Sequence, residues 1–71
     1  MSTYADLLVV IGNLRPGDAV EITVSWCQQN GLQLTPGMAK DWGKCIHSEY
    51  CKLKLKYLGK SSDNLHHYEK F

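Results

Sequence analysis

Apolar side chains at Tyr4, Leu7, Leu8, Ile11 and Leu14 repeat at i, i+3, i+4, i+7 and i+10, the stripe of an α-helix. Ser2 or Thr3 precedes them as a capping residue, and Asp6 sits near the positive end of the helix dipole. Val9 and Val10 add apolar surface outside the stripe, so this first helix is apolar on most sides. Such a helix either lies centrally in a core or turns a spare face to a second copy of the chain. Arg15-Pro16-Gly17 ends it.

The next segment carries two patterns at once. Val20, Ile22, Val24 and Trp26 alternate with Glu21, Thr23 and Ser25, as in a strand, and Asn30-Gly31 would fold that strand back onto Leu32-Gln33-Leu34. Against this, Asp18 and Glu21 have the spacing of a capping box, and Ala19, Ile22, Thr23 and Trp26 share a helical face. Gln28, Gln29 and Asn30 are weak strand formers, and Gly31 is well placed just past a helix end. A helix over residues 19–29 is the preferred reading, and its β-branched content is the main argument for the strand.

Thr35-Pro36 is the clearest boundary. Threonine caps, and proline at the first helical position lacks an N–H that would otherwise go unpaired. The third helix is predicted to run to about Glu49 or Tyr50, burying Ala39, Trp42, Ile46 and Tyr50 with Met38 and Cys45 at the flanks. Lys40, Lys44, His47 and Ser48 lie toward its other side, and Gly43 weakens it by about 1 kcal/mol relative to alanine. From Cys51 the period changes to two: Cys51, Leu53, Leu55 and Tyr57 face one way, Lys52, Lys54 and Lys56 the other. "GKSSDN", residues 59–64, is a polar loop, and "LHHYEKF" returns as a second strand.

With 71 residues the chain forms one domain, 1–71, and buries roughly 60% of the surface its unfolded form exposes. So small a core favours a binding module over an enzyme, and no cofactor is predicted. No run approaches 18 apolar residues, which excludes a membrane-spanning helix. Met1 to Asp6 lack the basic start of a signal peptide, and three cysteines, Cys27, Cys45 and Cys51, point to reduced thiols in a cytoplasm. Residues 1–35 set Arg15 against Asp6, Asp18 and Glu21, a net of −2; residues 36–71 set seven lysines against Asp41, Glu49, Asp63 and Glu69, a net of +3. The basic half is the expected face for a polyanion.

Cys45, His47 and Cys51 raise the question of zinc, with Cys27, His66 or His67 as a fourth ligand. The spacing C-x-H-x3-C across a helix end lacks the close ligand pairs of a zinc site, so no metal is predicted and the thiols are expected to be buried or half-buried. His66-His67 reads as a surface strand pair, and Trp26 and Trp42 as core.

The order helix, helix, short turn "NGLQLT", helix, hairpin resembles the winged helix-turn-helix group. The likeness covers nearly the whole chain and is one of order and spacing. It implies a mostly α fold of three helices with a C-terminal β-hairpin. It also implies that the third helix enters the major groove of double-stranded DNA, with Gly37, Lys40, Asp41, Lys44 and His47 meeting bases and phosphates. The hairpin loop, with Lys60, Ser61 and Ser62, would be the wing. Thr35 and the first amides of the third helix would hold a phosphate. Lys52, Lys54 and Lys56 fit a backbone-contacting strip or, alternatively, a lysine-protected sheet edge. The only arginine, Arg15, lies outside the reading helix, so affinity without sharp base specificity, or binding as a homodimer through the first helix, is expected.

The function expected is that of a small non-enzymatic DNA-binding protein, a transcriptional regulator or accessory factor of phage or plasmid type. The alternative is a protein-interaction module or inhibitor that binds a host protein through its N-terminal helix.

Overall fold

The structure is a computed structural model and describes residues 2–71. Among these residues the elements follow in the order α1 (Tyr4–Gly12), β1 (Ala19–Val20), α2 (Val24–Gln29), α3 (Pro36–Glu49), β2 (Leu55–Lys60) and β3 (His66–Lys70). The strands form one antiparallel sheet in the order β1-β3-β2, so the last strand in sequence lies in the middle. A hairpin alone was expected; the third strand makes the fold mixed α and β rather than mostly α.

Two helix starts agree with their local chemistry. Thr3 caps α1 by accepting from the Asp6 amide while Asp6 accepts from the Thr3 amide, a capping box. Thr35 caps α3 by accepting from Met38 N at 3.2 Å, and Pro36 occupies the first helical turn. The buried stripe of α3 is Ala39, Trp42 and Ile46, as the spacing predicts, but Tyr50, expected to be buried with them, caps the helix and is only half-buried. In α1, Leu7 and Ile11 are buried and Tyr4, Leu8 and Val10 pack against the core, which leaves Val9, 63% exposed, as its large outward apolar side chain. The helix is shorter than predicted, closing at Asn13 before Leu14.

The segment from Asp18 is where the sequence reading fails. Residues 19–29 are not one helix: Ala19 and Val20 are extended and pair with Glu69 and Tyr68 of β3, and α2 begins only at Val24. Asp18 does not cap α2; its carboxylate accepts from Arg15 N at 2.8 Å, closing the turn that contains Gly17 at φ +94°. Thr23 is the true cap, accepting from Trp26 N at 3.1 Å. Pairing with β3 holds Ala19 and Val20 extended, and helix capping takes over at Thr23. The rival hairpin does not form either, because the partner of Val20 is Tyr68 and not the Leu32–Leu34 segment.

Past α2 the turn is built as the glycine implies. Gly31, at φ +80°, donates to the Gln28 carbonyl, and Leu32 N donates to the Cys27 carbonyl, the paired bonds of a Schellman motif. Leu32 is buried and Leu34 packs against the core, so both fill the space between the helices. Ser2 clamps this turn to the N-terminal segment through Ser2 N to Gln33 O (2.9 Å) and Gln33 N to Ser2 Oγ (2.8 Å).

The lysine ladder is a second correction. Cys51 to Lys54 form a turn, not a strand: Leu55 N reaches back to the Tyr50 carbonyl, and Lys54 adopts φ +58°. Strand β2 starts at Leu55, so of the three ladder lysines Lys56 alone lies on it, opposite Glu69. The register slips between Tyr57 and Gly59, which leaves Leu58 unpaired in the ladder and 53% exposed.

Cys27, Trp26, Leu7, Ile11, Ile46, Leu55 and Tyr68 share a single core where the helices meet the sheet. Cys45 and Cys51 are exposed, against the expectation of shielded thiols, because the end of α3 turns them outward. Gly43 sits where a Cβ would lie 3.9 Å from the Cβ of Ile22, an ordinary contact. Gly43→Ala is therefore expected to raise stability by about 1 kcal/mol, the helix propensity difference. In a thermal melt of so small a domain this is about 4–8 °C; a lowered midpoint would show that the site has no room for a methyl group.

Candidate functional site

A groove of about 430 Å³ runs between the outer face of α3 and the tip of the β2–β3 hairpin. Its basic members are Lys40 and Lys44, one helical turn apart on α3, and Lys60 at the end of β2. Ile22, Ala39, Gly43 and Leu65 give it an apolar floor, and no carboxylate lines it among the described residues. Like-charged lysines at i and i+4 gain nothing from each other within the helix. Their shared position over a groove lacking carboxylates is the kind of arrangement that attracts an anion.

Of the residues singled out from the sequence, the groove brings together Lys40, Lys44, His47 and Lys60. Thr35 and Gly37 are exposed at the N-terminus of α3, outside the groove. Lys52 and Lys54 belong elsewhere: with Lys70 they edge a cleft of about 270 Å³ whose other walls are Leu8, Ile11, Gly12 and Leu53. Lys70 there donates to the Leu53 carbonyl at 3.4 Å. Lys56 lines neither cavity.

One wall of the groove was not foreseen. The rings of His47 on α3 and His66 on β3 stack with centroids 4.0 Å apart and planes 9° from parallel. Each Nδ1 meets a tyrosine hydroxyl, His47 with Tyr68 at 2.9 Å and His66 with Tyr57 at 2.8 Å. Tyr50 adds a further ring, stacked on His47 at 5.6 Å. His66 is thus half-buried against α3 and not half of a free surface pair, while His67 lies 3.5 Å from Glu21 Oε2. The alternation of "LHHYEKF" could have separated the two histidines onto opposite faces of a strand; nothing in it names His47 as the partner.

Burial lowers the His66 pKa below the usual histidine value, helped by the adjoining His47 and Lys60. Burial also raises the Tyr68 phenol to about 12, with Tyr57 and Tyr50 adding to the shift. On the opposite side of α3, Tyr4 donates to the Glu49 carboxylate, and its phenol is pushed up by burial and by that carboxylate.

A base whose folded-state pKa is depressed binds fewer protons than in the unfolded chain. Its stabilising contribution is complete above the ordinary histidine value of about 6.5 and is lost as pH falls through the folded value. The melting temperature is therefore expected to fall between pH 7.5 and pH 5. His66→Phe should flatten that slope, and an unchanged slope in the variant would remove His66 as its source.

Compared with known protein families, curated proteins and solved structures, the chain matches none. No helix is long and apolar enough to cross a membrane among the described residues.

Proposed function

We propose that the chain is a winged helix-turn-helix protein that binds double-stranded DNA and acts by occupying it, as a regulator or accessory factor without catalysis. The element order helix, strand, helix, helix, strand, strand, with the C-terminal strand central in the sheet, supports the winged-helix reading. The observation that carries the function is the groove: Lys40 and Lys44 on the third helix and Lys60 on the hairpin converge with no opposing carboxylate. In such a protein α3 lies in the major groove and the hairpin follows the backbone. The apolar side of α1 is largely used up within the fold, which weighs the reading toward the basic face and away from a partner held by that helix.

The test is a titration of labelled duplex DNA at two salt concentrations. Each lysine–phosphate contact adds about 0.9 to the slope of log K against log salt. Lys40→Ala and Lys44→Ala should each weaken binding and lower that slope by about 0.9. Lys52→Ala, on the other cleft, should change it less. No binding to duplex at low salt, or a loss at Lys52→Ala equal to those at Lys40→Ala and Lys44→Ala, would overturn the reading of a directed interface.

A further inference from the structure

The phosphates of a duplex account for the lysines at the rim of the groove, but not for its apolar floor or its stacked imidazole wall. A rigid double helix meets the rim and leaves the interior unfilled. A cavity of about 430 Å³ is within the range of small-molecule sites, roughly 300–1,000 Å³, which are lined mainly by apolar and aromatic groups with a few polar ones.

We infer that the groove between α3 and the hairpin is a binding site for a nucleoside monophosphate: a planar heteroaromatic ring bearing a phosphate dianion. The ring fits the apolar part, formed by Ile22, Ala39 and Leu65. The His47–His66 stack gives it an aromatic edge of fixed orientation, because tyrosine hydroxyls on β2 and β3 hold each imidazole at Nδ1. Gly43 keeps the helix side of the groove open by presenting no side chain. The phosphate meets Lys40, Lys44 and Lys60, whose charge is not balanced by any lining carboxylate. Asp63, on the hairpin loop, accepts from Ser61 and does not line the groove. Asn64, which also lines the groove, supplies an amide able to donate to a phosphate oxygen or to pair with a ring edge. Inorganic phosphate alone would leave the apolar floor wet, and a neutral ring alone would leave three ammonium groups uncompensated.

The site does not require duplex binding, but it draws on the same lysines, so a nucleotide in the groove should compete with DNA. The experiment is a titration of uniformly 15N-labelled protein with adenosine 5′-monophosphate, followed by amide shifts, with adenosine and inorganic phosphate as parallel arms at matched ionic strength. The monophosphate should move the amides of Gly43, Lys44, Leu65 and His66 and saturate on the order of 1 mM or tighter. Adenosine and phosphate should each bind at least about tenfold more weakly, the value of one lost charge-assisted contact. Lys60→Ala, exposed on the hairpin and outside the core, should weaken the nucleotide about tenfold with the spectrum otherwise folded.

Phosphate matching the nucleotide would reduce the groove to a general anion patch and overturn the inference. So would shifts lying away from the groove, or none at about 10 mM nucleotide. Nucleotide binding without duplex binding would uphold this site and sink the DNA reading; the reverse result would do the opposite.

Discussion

Truncating Ile46 to alanine is expected to lower the stability of this protein by about 2–5 kcal/mol. The residue is fully buried on the inner face of α3, within the core that holds the helix against the sheet. Its loss combines the transfer free energy of the missing methyl and methylene groups with the cavity they leave. A domain of this size sits near the low end of the usual range, about 5 kcal/mol. The variant should therefore be substantially unfolded in moderate urea where the parent is native. The urea midpoint measures it, and a loss below about 1 kcal/mol would mean that α3 is not seated as described.

The second large effect is expected at Tyr68. This side chain is 1% exposed at the centre of the sheet, and its hydroxyl meets His47 Nδ1. Tyr68→Ala should destabilise by about 3–5 kcal/mol, as for other large aromatics in cores. Tyr68→Phe keeps the ring and removes the hydroxyl, so it should lose only about 1 kcal/mol, the net value of a hydrogen bond whose partner is then left unpaired. The difference between the two separates packing from polar satisfaction. If Tyr68→Phe matched the parent in denaturant, the hydroxyl–imidazole contact would contribute nothing, and the orientation of His47 would need another cause. The hydroxyl itself is silent across the ordinary range, since burial holds the phenol at about 12.

Local chemistry made parts of this fold legible and distance hid the rest. Thr35-Pro36 needs only its neighbours to start a helix, and α3 runs over Pro36–Glu49 as the spacing implies. Gly31 likewise acts within its own turn. Residues 19–20 are different: their extended state is fixed by Glu69 and Tyr68, far along the chain, so Asp18 and Glu21 could mimic a capping box with nothing nearby to contradict them. The alternation at Lys52, Lys54 and Lys56 was real as a pattern, but a single left-handed residue, Lys54, places the first two in a turn. At the groove, Lys40, Lys44 and His47 could be grouped from helical spacing alone. The stack of His47 on His66 required the position of β3 relative to α3, which no periodicity encodes.

The central position of β3 also has a temporal consequence. Strands β1 and β2 do not pair with each other, and both hydrogen-bond to residues 66–70. A chain emerging from the ribosome can wind its helices early, but it cannot pair β1 or β2 or bury Tyr68 until residues 66–70 have cleared the exit tunnel. Until then the apolar faces of α1 and α3 have no sheet to cover them, and a nascent chain stalled short of residue 66 would be a natural target for chaperones.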